Sequence, residues 1–153
     1  RATDHASERV FLGDYIHTLD EKGRVVMPAP FRAVIKEEGG NVVVTKGPDG
    51  NLVVFTEEKF REVAQEEMAR PRVRETRRDI RAKFAAADLQ KMDSQGRIAI
   101  KPRLREYAGI QSASEVAVVG VFDRIEIWDV AAFEQEQAAA DALYRESEET
   151  PGF

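Results

Sequence analysis

The 153-residue sequence has no cysteine, two histidines and one tryptophan. Without cysteine there is no disulfide, no thiolate nucleophile and no thiolate-ligated metal, and a reducing compartment fits that composition. His5 lies in a stretch without any period and His17 stands alone in a strand pattern. Neither has the companions that a catalytic triad or a zinc site requires. No apolar run approaches the roughly 20 residues that span a bilayer and there is no signal-peptide core, so a cytoplasmic location is expected. A phosphate-binding loop is missing too, because Gly47-Pro48-Asp49-Gly50 lacks the lysine and the helix that this mechanism needs. These absences argue against an enzyme and give no reason to expect a cofactor or a metal.

Charge is present in quantity but unevenly spread. The net charge of −5 sits awkwardly with nucleic-acid binding, since such domains often have a pI above about 9. Yet between Arg70 and Lys83 lie seven basic residues (Arg70, Arg72, Arg74, Arg77, Arg78, Arg81, Lys83) against Glu75 and Asp79, while Glu134 to Glu149 carries six acids against Arg145 alone. An anion responds to the potential within roughly 8 Å at physiological salt rather than to the total charge.

The chain also repeats itself. A shift of 73 residues aligns Phe11 with Phe84, Asp20 with Asp93, Gly23 with Gly96, Arg24 with Arg97, Arg32 with Arg105, Val43 with Val116, Gly47 with Gly120 and Phe60 with Phe133, without an insertion. Apolar positions follow, among them Leu19/Met92, Val25/Ile98, Met27/Ile100, Phe31/Leu104 and Val54/Ile127. Two copies of one supersecondary unit result. Each copy predicts a strand, an Asp-x-x-Gly-Arg turn closed by a left-handed glycine, a second strand, a short helix, a two-stranded hairpin and a longer helix. Thr56 and Asp129 are the expected caps of the longer helices, with Phe60, Val63, Ala64 and Met68 inward on the first and Phe133, Ala140 and Leu143 on the second, whose tail is too polar to bury much. Pro71 suits the first turn of a separate basic helix over 72–84.

The boundaries that follow are an extension at 1–10 expected to be disordered, a first repeat at 11–69, a basic connector at 70–83, a second repeat at 84–147 and a tail at 148–153. Four short strands per copy cannot cover both of their faces alone, whereas two interleaved copies close a barrel and remove its edges. The expected fold is mainly β with α, an α+β pseudo-twofold double-split β-barrel built from two βα units.

Phe11-Leu12-Gly13-Asp14-Tyr15, Leu19-Asp20-Glu21-Lys22-Gly23-Arg24, Asp93-Ser94-Gln95-Gly96-Arg97, Arg105-Glu106-Tyr107-Ala108-Gly109 and Ile125-Glu126-Ile127-Trp128 together resemble the MraZ family, from residue 11 to about 145. That family is related to the AbrB-type swapped-hairpin DNA-binding proteins. The resemblance implies a sequence-specific transcriptional regulator, usually a repressor of its own division and cell-wall gene cluster. It also implies a ring-shaped homo-oligomer on tandem direct repeats of double-stranded DNA, in the cytoplasm and on the nucleoid. By position it points to Lys22 and Arg24 as DNA contacts, then Arg97; Arg32 and Arg105, which the repeat singles out, are further candidates, for phosphate.

The residues themselves leave alternatives. Arg24 and Arg97 suit an ion pair back to Asp20 and Asp93, worth about 0–1 kcal/mol when exposed. They equally suit a major groove, where a bidentate arginine–guanine contact discriminates by roughly 1–3 kcal/mol. Arg32 and Arg105 could merely solvate a helix face, and Asp20, Gly23, Asp93 and Gly96 are structural turn residues. Gln95 stands where the first loop has Lys22, so the second loop offers less charge. The rival functions are an oligomeric scaffold for an acidic protein partner and an AbrB-like antitoxin.

Overall fold

Val42–Val44 and Leu52–Phe55 are continuous apolar runs separated by Gly47-Pro48-Asp49-Gly50-Asn51, a pattern that makes a hairpin buried on both faces. They form β3 (Asn41–Lys46) and β4 (Leu52–Thr56) at the centre of the sheet. The computed structural model describes residues 10–147; residues 1–9 of the expected extension and the tail at 148–153 lie outside the described residues. Around the central hairpin, in chain order, run β1 (Phe11–Thr18), β2 (Arg24–Val26), α1 (Ala29–Glu37), then after β4 α2 (Glu57–Met68), α3 (Arg74–Ala85), β5 (Asp88–Lys91), β6 (Arg97–Ala99), α4 (Pro102–Ala108), β7 (Glu115–Phe122), β8 (Ile125–Asp129) and α5 (Val130–Glu146). The fold is α+β, with one six-stranded sheet ordered β1-β7-β8-β4-β3-β5 and a two-stranded ribbon of β2 and β6. Every pairing is antiparallel.

The registers respect the 73-residue shift. Val25 faces Ile98 at the middle of the ribbon and Val53 faces Glu126 between β4 and β8, each pair being one position met twice. Likewise β1 on β7 corresponds to β5 on β3. Leu19, Val25, Met27 and Phe31 of the first copy share one core with Met92, Ile98, Ile100 and Leu104 of the second, all buried. Fully burying such a side chain contributes about 1.5–3 kcal/mol, so neither copy is separable from the other's apolar surface.

Local chemistry sets the helix ends. Pro30 and Pro102 occupy first-turn positions of α1 and α4, where the missing N–H has no partner to lose. Gly40 at φ 85° returns its N–H to the Ile35 carbonyl at 2.9 Å, and Gly109 at φ 67° closes α4. Thr56 Oγ1 accepts the Lys59 N–H at 3.3 Å and Asp129 Oδ2 accepts that of Ala132 at 3.1 Å, so α2 and α5 start at the same place in their copies.

Two expectations change. The basic helix begins at Arg74, after Val73 as cap, rather than at 72. Arg72 turns back instead, its Nη2 donating to the Met68 carbonyl at 3.3 Å. Met68 is exposed at the end of α2, and Ala140 and Leu143 face solvent, Leu143 at 72% exposure. Tyr107 points outward on α4 and donates its hydroxyl to the Gly47 carbonyl at 2.6 Å. β5 is half the length of β1 and follows α3 directly after Ala86 and Ala87.

Candidate nucleic-acid interface

The two Asp-x-x-Gly-Arg segments fold alike. In the first, Asp20 Oδ1 accepts the N–H groups of Lys22 (2.9 Å) and Arg24 (2.8 Å), and Oδ2 receives Arg24 Nε at 2.9 Å. In the second, Asp93 Oδ1 accepts those of Gln95 (2.9 Å) and Arg97 (2.8 Å), and Oδ2 receives Arg97 Nε at 2.7 Å. The glycines complete both turns at φ 77° and 79°, in the left-handed region that a side chain resists, each donating to its aspartate's carbonyl. Both aspartates are held below their ordinary pKa of 3.8. The backbone N–H of Arg24 or Arg97 is the main cause; lost hydration opposes it, and the guanidinium and the second N–H reinforce it.

This anchoring leaves each arginine half committed. Nε is spent on the carboxylate, while both Nη groups of Arg24 and Arg97 make no hydrogen bond to any described residue. The aspartate therefore fixes the rotamer of a guanidinium whose outer fork stays open, the geometry that bidentate recognition uses. Lys22 stands exposed at the tip of the first loop and Gln95 at the tip of the second.

The other repeated arginine pair sits behind the loops and crosses between the copies. Arg32 Nη1 donates to the Met27 carbonyl at 2.6 Å, and its side chain lies so close over Gly96 that a Cβ there has no room. Arg105 bonds the Ile100 carbonyl and covers Gly23 in the same way. Each copy's helix thus braces the other copy's loop. Backbone bonds join them too, from Met27 N to the Gly96 carbonyl at 2.8 Å and from Ile100 N to that of Gly23 at 2.7 Å.

The loops stand at the two ends of the β2–β6 ribbon. Gly23 lies beside Ile100 and Gly96 beside Met27, a separation of roughly 13 Å along the strands at about 3.3 Å per residue. Sequence reasoning missed Lys36 and Lys91, which with Asp93 and Ser94 line a shallow depression beside the second loop. They stand opposite Gly109 and Thr18 in the 73-residue alignment, so only the second loop has them. No periodic signal marks them; only folding brings α1 to that loop.

The run from Arg70 to Lys83 is partly neutralised within the chain. Lys83 Nζ lies 3.1 Å from Glu67 and 3.0 Å from Asp79, and Arg70 Nη1 lies 2.9 Å from Glu67. Arg77 bonds the Arg72 carbonyl at 3.0 Å. Arg74, Arg78 and Arg81 have no ion pair among the described residues. Trp128 is buried, stacks obliquely on Phe133 and donates Nε1 to Glu126. Among the described residues there is no group of three or more His, Asp or Glu placed to hold a metal ion, and no helix is long and apolar enough to cross a membrane.

Known proteins share this pattern. A family model described as "MraZ protein, putative antitoxin-like" matches twice, over residues 10–82 and 84–151. A protein named Transcriptional regulator MraZ from a Nocardioides species is 45% identical over 142 residues, covering 92% of this chain and 95% of that one. Proteins of the same name from Corynebacterium diphtheriae and Salinispora tropica are 41% and 38% identical, each over more than nine-tenths of both chains. With its two matched loops and a family model that fits each half in turn, the chain belongs to the MraZ family.

Proposed function

We propose that the protein is a sequence-specific DNA-binding transcriptional regulator, acting as a repressor at tandem direct repeats upstream of its own gene cluster. The observation that carries this reading is the pair of aspartate-anchored loops, each presenting an open arginine fork, at the ends of one two-stranded ribbon. A two-stranded ribbon fits the major groove, about 12 Å wide, where arginine pairs with guanine O6 and N7. Lys22, Arg24 and Arg97 are the assigned contacts. Arg32 and Arg105, each with one N–H committed to a carbonyl, hold the loops in place and add positive charge behind them, facing phosphate. The names of the relatives support the regulatory part of the reading.

The two sheets are read as a pseudo-twofold double-split barrel, and the protomers as a homo-oligomeric ring in the cytoplasm, on the nucleoid. Head-to-tail subunits present their loops in one sense, which suits direct repeats, whereas a twofold dimer suits palindromes. Once one loop is docked, its neighbours bind at high effective concentration, raising avidity by about 10²–10⁴. In this way weak loops can hold DNA despite a net charge of −5.

Fluorescence anisotropy at about 150 mM salt, where non-specific phosphate binding is already weakened, tests the reading. The duplex upstream of the gene is competed against a scrambled duplex of equal composition. Preference for the native duplex by about 10³ or more is expected, as is its loss in Arg24→Ala with the oligomeric mass unchanged. Equal competition by the scrambled duplex overturns the reading and leaves a scaffold for an acidic partner.

A further inference from the structure

The two copies differ in how far their outer strands reach. β1 pairs with β7 over eight residues, but β5 pairs with β3 only from Asn41 to Val44. Thr45, Lys46 and Gly47 are left without a strand on that side. Thr45 Oγ1 donates to the Lys83 carbonyl at 2.7 Å and the Gly47 carbonyl accepts the Tyr107 hydroxyl. Between this end of β3, the adjoining part of β4, α2 and α3 lies a cavity of about 440 Å³. That is within the range of about 300–1,000 Å³ typical of small-molecule sites. In the second copy β1 lies across the matching edge, with the Phe11 backbone pressed onto Gly120.

The cavity is apolar with a sparse set of charges. Val53, Phe55, Phe60, Val63 and Phe84 line it. Two of its three cations are balanced: Lys83 by Glu67 and Asp79, and Arg124 by Asp123 at 2.8 Å. Lys46 is not. Its ammonium sits 5.0 Å from the centre of the Tyr107 ring, half-buried, with no carboxylate partner among the described residues. An unbalanced cation beside aromatic walls is complementary to one anionic group on an apolar body.

We propose that this cavity binds a small molecule with an aromatic or aliphatic body and a single carboxylate or sulfonate. The body rests on Phe60, Val63 and Phe84, and the anion meets Lys46. This site is independent of the DNA-binding reading and stands or falls without it.

The test titrates the full chain with anilinonaphthalene sulfonate and with the uncharged N-phenylnaphthylamine, following fluorescence. One sulfonate probe per chain is expected. Lys46→Gln should weaken the sulfonate probe about 10-fold, the scale of a hydrogen bond to a charged group, and leave the uncharged probe unchanged. Ala82→Trp, at an exposed position lining the cavity, should block both, with circular dichroism confirming the fold. Equal binding of the sulfonate probe to wild type and to Lys46→Gln overturns the proposal, placing the probe on exposed side chains such as Leu12 and Phe122. Probe affinity that falls as the protein is concentrated also overturns it, because a second copy then fills the cavity.

Discussion

Asp20 and Asp93 each organise a five-residue loop with one carboxylate: one oxygen gathers two backbone N–H groups and the other steers an arginine. Because these bonds favour the ionised form, the folded pKa lies below 3.8, the ordinary value. The stability they contribute is fully present above the unfolded value and is lost as pH falls through the lower folded one. Carboxyl-carbon NMR titration should give midpoints below 3.8 for both residues. A midpoint at or above that value shows that the loop bonds do not persist in solution. The glycines carry a different constraint. Gly96→Ala forces a left-handed φ on an L-residue, costing roughly 1–2 kcal/mol, and it pushes Arg32 off the loop. Chemical denaturation of Gly96→Ala, Arg32→Ala and the double variant should show sub-additive losses, since the two substitutions disrupt one contact. Strict additivity contradicts the brace.

At the scale of elements, the longer helices show how context decides burial. α2 and α5 occupy equivalent positions with matching caps, yet α2 meets α3 through Phe60 and Glu67 while Glu134 to Asp141 of α5 are exposed. The cover is aromatic, Phe60 against Phe84 with ring centres 5.7 Å apart in an edge-on arrangement. It is reinforced by the Glu67–Lys83–Asp79 cluster. Of the two, the aromatic pair stabilises α3 more. Exposed ion pairs contribute about 0–1 kcal/mol each, whereas truncating a buried phenylalanine costs about 3–5 kcal/mol, and a half-buried one proportionately less. Phe84→Ala should therefore loosen α3 by roughly 2 kcal/mol, read as faster amide exchange across Arg74–Ala85 with the β3–β4 amides unchanged. Exchange that accelerates equally in both regions would mean that α3 is not a separable cover.

For the whole molecule, the open question is what meets the edge of the sheet. Leu12, Ile16, Val121 and Phe122 are exposed along paired β1 and β7, at 63%, 50%, 42% and 64%. Leu12 and Val121 face each other across the two strands. The ring reading assigns that surface to the neighbouring subunit. Phe122 also sits at φ 69° in the tight turn from β7 to β8, a conformation that asparagine tolerates better than phenylalanine. Phe122→Asn should keep the thermal midpoint close to wild type while lowering the mass seen by sedimentation. Unchanged mass excludes this edge from the assembly.

The repeat, its turn chemistry and its caps belong to the sequence. Asp and Gly at fixed spacing dictate the left-handed turn, proline and glycine mark the helix ends, and shared apolar positions foreshadow a common core. Those are local preferences, and local preferences are legible in order along a chain. Even the pairing of Arg24 with Asp20 was legible, because the partners lie four residues apart. What Arg32 and Arg105 do was not, since each braces the loop of the other copy through a contact that exists only when β2 lies beside β6. The exposure of Leu143, the outward turn of Tyr107 and the positions of Lys36 and Lys91 share that character. The same holds for the cavity at Lys46: two repeats of one pattern differ there, β5 being half the length of β1. Tertiary packing decides what covers a helix face, although part of the difference is already in the sequence, since Glu136 and Gln137 of α5 stand where α2 has Val63 and Ala64.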